Sequence, residues 1–306
     1  MLNVYEQVDR NKRRSLLIMI LFVLFVSLVA YILGEASGYG SSWIGIALIF
    51  SGLISFGSYY WSDKIILGIS KAKPATKKEY FNFYTVTENL CLGAGLPMPK
   101  LYVIEDSAPN AFATGRDPDH SVICVTTGLL EKLNRSELEG VIGHELSHIR
   151  NYDIRLMSIV SVLVGMIALL SDWFLRSSRW GVGIRTRDKD RQEGGFEFLL
   201  FLIGIIMALL APFIAQLIQL AISRRREFLA DSSSALLTKY PDGLISALQK
   251  IAADQEPLEV ANRATAHLYI VNPLKGKEFT GMLANLFNTH PPIEERIKAL
   301  KGGTNE

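Results

Sequence analysis

Cysteine is nearly absent. The 306 residues carry two, Cys91 and Cys124, and neither belongs to a Cys-x-x-Cys pair. That excludes paired-thiolate metal sites, and two cysteines are too few for a disulfide framework. Cys124 lies in a strand-like stretch with no nucleophile pattern around it and reads as core. Charge of one sign is not in excess either: 32 Lys and Arg against 30 Asp and Glu leave a formal net charge of +2. No basic tract is interleaved with aromatics, so nucleic acid is not an expected partner. No internal repeat and no low-complexity tract occurs. Apolar residues are abundant: 49% of the chain is hydrophobic, and the mean hydropathy is +0.23.

That apolar content is concentrated. Residues 15–34 (SLLIMILFVLFVSLVAYILG) and 42–61 run without charge, each matching the roughly 20 apolar residues that cross a bilayer. A third stretch, about 156–174, is interrupted at Asp172, and a fourth, about 198–223, contains Pro212, Gln216 and Gln219. Trp43, Trp61, Trp173 and Trp180 flank these stretches, where amphipathic rings favour the lipid–water boundary. A cleaved signal peptide is not expected, because no small-x-small pattern follows Gly34 and a second span comes at once. The expected fold is α+β: a mainly helical integral membrane protein with about four transmembrane or membrane-embedded helices and a small catalytic domain holding a short β-sheet. The expected division is a membrane hairpin over 1–62, catalytic residues over 63–155, a second hairpin over 156–223 and further catalytic residues over 224–306.

Arg10, Lys12, Arg13 and Arg14 precede the first span, residues 35–41 carry no basic group, and Lys64, Lys71, Lys73, Lys77 and Lys78 follow the second span. The positive-inside bias places the N-terminus and residues 62–155 in the cytoplasm of a multi-pass plasma- or inner-membrane protein. The loop holding Arg176, Arg179, Arg185, Arg187, Lys189 and Arg191 disagrees with a four-span count. Either the second hairpin does not fully cross, or the earlier charges dominate. Both place the residues before the third stretch and after the fourth on one side.

Between the spans, 76–95 reads as a helix ending at glycines. Residues 101–106 and 121–126 read as β-strands rich in branched residues, and 110–115 as a further strand before the turn-prone RDPDH. Ser136 and Glu139 form a Ser-x-x-Glu capping box that opens a helix running through GHELSH and onward into Leu156. On that helix His144 and His148, four residues apart, share one face. Both imidazoles can then meet a single zinc ion near ~2 Å. Glu145 lies beside them, placed to act as general base on a water whose pKa zinc lowers, and to pass the proton to a leaving amine. A hydrolytic zinc site wants a third protein ligand, and no histidine follows closely downstream. Arg226-Glu-Phe-Leu-Ala-Asp231 offers Glu227 and Asp231, again four apart, so that one binds metal while the other steadies a ligand. Asn110, Ala111 and Phe112 offer an edge strand to which an extended peptide adds by main-chain hydrogen bonds. His120 and His267 have no motif around them.

HELSH with Asn151 and Asp153, a membrane hairpin, and then EFLAD resembles the HtpX group of membrane zinc metallopeptidases, relatives of the CAAX prenyl proteases and of Oma-type peptidases. NAF at 110–112 and THPPIEERI at 289–297 are similar to the same pattern, so the likeness spans nearly the whole chain. The resemblance implies a zincin-like (gluzincin) catalytic domain with one Zn2+ per chain. It implies that His144, His148 and Glu227 are ligands, that Glu145 is the base, and that Asp231 and Asp153 orient the histidines. It also implies that His290 and Arg296 stabilise the oxyanion. The expected activity is a zinc endopeptidase acting on damaged or misfolded membrane polypeptides in stress-linked quality control. Two rivals are a processing protease for lipid-modified peptides and an inactive membrane scaffold. Intact Glu145 argues against the scaffold. The oligomeric state leaves no mark in the sequence.

Overall fold

The computed structural model describes residues 4–36, 42–166, 224–261, 265–271, 273 and 291–302. His290, the basic loop and most of the second apolar hairpin lie outside these residues. Two long helices open the chain, α1 (Val4–Ala36) and α2 (Ser42–Ile69). A short strand β1 (Lys73–Pro74) leads to α3 (Phe81–Ala94). This helix starts five residues later than its apolar spacing suggests, because Tyr80 and Glu79 first fold back onto Thr76 as a turn. It ends as expected at Gly95, whose φ of 65° closes it in the left-handed conformation.

The strands β2 (Lys100–Ile104), β3 (Ala111–Gly115) and β4 (Ser121–Thr126) complete a four-stranded sheet in the order β1-β2-β4-β3. β2 and β4 run parallel, and β3 returns antiparallel to β4 with Ala113 opposite Ile123. Period-two alternation sends successive residues into different cores. Leu101, Val103, Ile123 and Val125 pack with α3 and the motif helix, whereas Ile104, Phe112, Val122 and Cys124 pack with Met157 and Tyr269. Burial pushes the Cys124 thiol well above its ordinary pKa, consistent with a core residue.

After α4 (Thr127–Lys132) comes α5 (Arg135–Arg150), the motif helix. Its capping box uses Asn134 and Glu137, not Ser136 and Glu139, so the helix begins two residues earlier than the expected pattern. The Ser136 hydroxyl instead donates to Asn134 Oδ1. Nor does the helix continue unbroken into Leu156. It stops at Asn151, Tyr152 takes a φ of 58°, and a new helix α6 begins, described over 153–166. The break turns Asp153 back towards α5. Then come α7 (Arg224–Thr238), α8 (Pro241–Ala253) and α9 (Ile293–Gly302). Glycines let α5 lie close to two of these. A Cβ on Gly140 would sit 2.6 Å from the Leu244 nitrogen, and one on Gly143 2.8 Å from Ser234 Oγ.

The α1–α2 hairpin is built differently. Leu16, Leu17, Ile20, Leu24 and Leu28 on α1, with Ile46, Ile49, Phe50, Leu53 and Phe56 on α2, are 48–68% exposed. The buried face of α2 instead holds Ser51, Ser55, Ser58 and Ser62. Ile18 and Phe22 of α1 pack on Leu156, Ile159, Val160 and Leu163 of α6. Among the described residues no helix is long and apolar enough to cross a membrane. The side chains at 4–7, 29, 30 and 32–36 in α1, and at 42–44 and 47 in α2, fall outside those residues.

Candidate metal centre

α5 and α7 cross with Gly143 against Ser234, whose hydroxyl donates to the Gly140 carbonyl at 2.7 Å. That close approach puts the first turn of α7 beside the middle of α5. His144 Nε2 and His148 Nε2 face each other at 3.1 Å, with their rings nearly perpendicular. Glu227 faces both: Oε2 lies 3.6 Å from His144 Nε2, and Oε1 3.6 Å from His148 Nε2. Ligand atoms bound tetrahedrally near ~2 Å stand about 3.3 Å apart, so the spacing and the donor set both fit a zinc ion. All three side chains are buried.

The far side of each imidazole is held by a carboxylate. His144 Nδ1 lies 2.9 Å from Asp231 Oδ1, and His148 Nδ1 3.1 Å from Asp153 Oδ2. Fixing Nδ1 in this way leaves Nε2 for metal. Burial, with the Arg296 charge, keeps the His144 pKa below its ordinary value despite Asp231. Burial also pulls His148 down, but the Asp153 hydrogen bond and the charges of Glu227, Asp153 and Glu145 outweigh it and raise it to about 9. Burial, helped by nearby Glu227, pushes Glu145 up to about 7, opposed by His148, Arg296 and the Ala113 N–H.

Arg296 stands behind Asp231 and close to two of the ligand candidates, Nη2 3.4 Å from His144 Nδ1 and Nη1 4.0 Å from Glu227 Oε2. It is fully buried and clamps Asp231 bidentately, Nε to Oδ2 at 2.8 Å and Nη2 to Oδ1 at 2.7 Å. Its Nη1 donates to the Ile270 carbonyl at 3.0 Å. A guanidinium with these partners holds Asp231, and through it His144, in place.

Among the described residues β3 is one edge of the sheet, holding Ala111 and Phe112 with Asn110 just before it, and Phe112 turns its backbone inward to pair with Cys124. The outward Ala111 carbonyl accepts the Ile270 N–H at 2.9 Å, and Asn110 Nδ2 donates to the Val271 carbonyl at 3.0 Å. The chain's own 268–271 segment therefore lies along the start of this edge. His267 is buried with Nε2 3.1 Å from Ser161 Oγ, and His120 pairs with Asp117 at the surface, so neither joins the centre.

Sequence reasoning missed two residues here. Asn11 and Arg226 are buried beside Asp153, contributed by α1 and α7. The available signal was a lone asparagine inside a basic run and an arginine directly before the ligand glutamate.

A family model described as peptidase family M48 matches residues 82–304. A "Protease HtpX homolog" from Dictyoglomus thermophilum is 46% identical over 297 residues, covering 97% of this chain and 94% of its own. Another, from Thermoanaerobacter pseudethanolicus, is 45% identical over 301 residues and covers 98% of both. The crystal structure of S. mikatae Ste24p aligns with 92% of this chain and 61% of its own, at a TM-score of 0.44 and 18% identity. At that distance it carries no argument.

Proposed function

The chain belongs to peptidase family M48, in its HtpX group of metallopeptidases, and from that premise we propose a membrane-anchored zinc endopeptidase. The observation that carries this reading is the buried convergence of His144, His148 and Glu227, with Glu145 alongside. The two Nε2 atoms and the Glu227 carboxylate would hold the ion. Zinc supplies Lewis acidity there, polarising a peptide carbonyl and making water nucleophilic near neutral pH. Asp231 and Asp153 fix the rings, and Arg296 fixes Asp231. Glu145, held near neutrality, takes a proton from the attacking water and delivers it to the leaving amine nitrogen. The peptide would lie along the outward edge of β3 beyond Ala111, whose carbonyl accepts the Ile270 N–H.

The hairpin supports the membrane half of the reading. Exposed leucine, isoleucine and phenylalanine over a buried serine stripe suits lipid, where small residues let helices approach closely. We place the spans at 15–34 and 42–61, each of which includes side chains outside the described residues, with the catalytic residues facing the cytoplasm of a plasma or inner membrane. Anchoring confines enzyme and substrate to one surface and raises their effective concentration, which suits quality control of damaged membrane proteins.

Casein digestion by detergent-purified, zinc-loaded protein tests the chemistry. Wild type cleaves and Glu145→Gln does not. Cleavage that survives the substitution would remove Glu145 from the mechanism, and no cleavage by either form would favour a scaffold.

A further inference from the structure

Asn11 lies on α1, one turn before the apolar run, yet it is 2% exposed and its side chain reaches the supports of two zinc-ligand candidates. Its Nδ2 donates to Asp153 Oδ1 at 2.7 Å and to the Asn151 carbonyl at 2.9 Å. Its Oδ1 accepts from Arg226 Nη1 at 3.3 Å, while Arg226 Nε lies 3.5 Å from Asp153 Oδ1. One amide thus ties together the turn that ends α5, the carboxylate behind His148 and the arginine adjoining Glu227. The neighbouring Lys12 adds a grip on the same turn, its Nζ 4.4 Å from the Tyr152 ring centroid. That turn needs holding, because Tyr152 takes a left-handed φ of 58° that a non-glycine residue rarely adopts.

We infer that Asn11 is a positioning residue of the metal centre, through which α1 sets the orientation of Asp153 and hence of His148. The inference rests on the zinc reading above. The amide saturates a buried carboxylate oxygen that would otherwise compete for the His148 ring or rotate away from it. Outer partners of this kind govern how tightly an ion is held. The consequence is that α1 is part of the site.

The test uses full-length, zinc-loaded protein in detergent, challenged with an excess of a chromogenic chelator, with thermal unfolding recorded in parallel. Asn11→Asp keeps the shape but loses both N–H donors, and Asn11→Ala loses the amide altogether. Both should release zinc about ten to a hundred times faster than wild type. Ile18→Ala, which opens a hole in the buried face of the same helix, should lower the unfolding temperature and leave release within about twofold, since it touches no polar partner of the site. In an Asp153→Ala background Asn11→Ala should add less than about twofold, because residues acting along one path are not additive. Unchanged release in the Asn11 variants, equal acceleration in Ile18→Ala, or full additivity with Asp153→Ala would each overturn the inference. A wild-type chain that binds no zinc would instead end the zinc reading, and this inference with it.

Discussion

The metal centre and the α1–α2 hairpin obey opposite rules of burial. Around α5 the interior holds His144, Glu145, His148, Glu227, Asp231 and Arg296, each bonded to a named partner or facing another site group. On the hairpin a stripe of serines is buried along α2, Ile18 and Phe22 are the large apolar residues that α1 turns inward, and ten other large apolar residues face outward. A protein surrounded by water on all sides would reverse the second pattern, so the two regions are read as facing different solvents. Buried charge at the centre stands among opposite charges, with Arg296 on Asp231, Arg226 and His148 beside Asp153, and His148 beside Glu227. Under the proposed membrane reading, exposed leucine is tolerated on the hairpin because lipid covers it.

The largest effect expected is at the centre. Glu145→Gln removes the proton carrier and keeps the ligands, so peptidase activity falls by about 10² to 10⁴ with bound zinc unchanged. Metal analysis beside a casein assay checks both halves. Glu227→Ala does the reverse, cutting zinc retention by on the order of a hundredfold, at least as much as losing an outer partner costs. Equilibrium dialysis against zinc measures it. If the order of the two variants in zinc content is inverted, the roles are exchanged.

The hairpin half is broken or sharpened by a pair of arginines. Leu53→Arg places a charge on a face proposed to meet lipid and should cost about 2.5–3.5 kcal/mol in membrane insertion. Leu92→Arg changes a residue on α3 that is 79% exposed and proposed to meet water; it should shift stability by no more than about 0.5 kcal/mol. Insertion assays and melting curves that give equal costs would erase the contrast between the regions.

A smaller effect follows from His148. Its pKa in the metal-free chain is raised to about 9, above the ordinary value near ~6.5. Its protonated form therefore stabilises the metal-free fold fully below that ordinary value, and the contribution is lost as pH rises through about 9. Zinc must displace the proton, so affinity should climb about tenfold per pH unit from neutrality to that point and then level off. Titration calorimetry in two buffers of different ionisation enthalpy should register about one proton released per zinc at pH 7. No release would contradict the His148 assignment.

The readable parts of the molecule were those with a local signature. The His-Glu-x-x-His spacing, the alternation in β2 and β4, and the glycine after α3 each left a pattern within a few residues. The capping box was displaced by two residues because Asn134 and Ser136 are both competent caps, and only Asn134 has its partner at Glu137. The Arg296 clamp on Asp231 joins positions 65 residues apart. The Asn11 bonds to Asp153 and Arg226 span 142 and 215 residues. The Ile270 amide on Ala111 likewise joins a late segment to an early edge strand. Contacts at such separation leave no periodicity, so the ligands and the two carboxylates behind them were legible where Asn11, Arg226 and the Arg296 clamp were not.

Zinc-edge X-ray absorption of the purified full-length protein tests the central claim most directly. The account predicts one zinc per chain in a shell of two imidazole nitrogens and carboxylate or solvent oxygen, with the carboxylate contribution lost in Glu227→Ala. A sulfur-containing shell, or an identical shell in wild type and in Glu227→Ala, would contradict it.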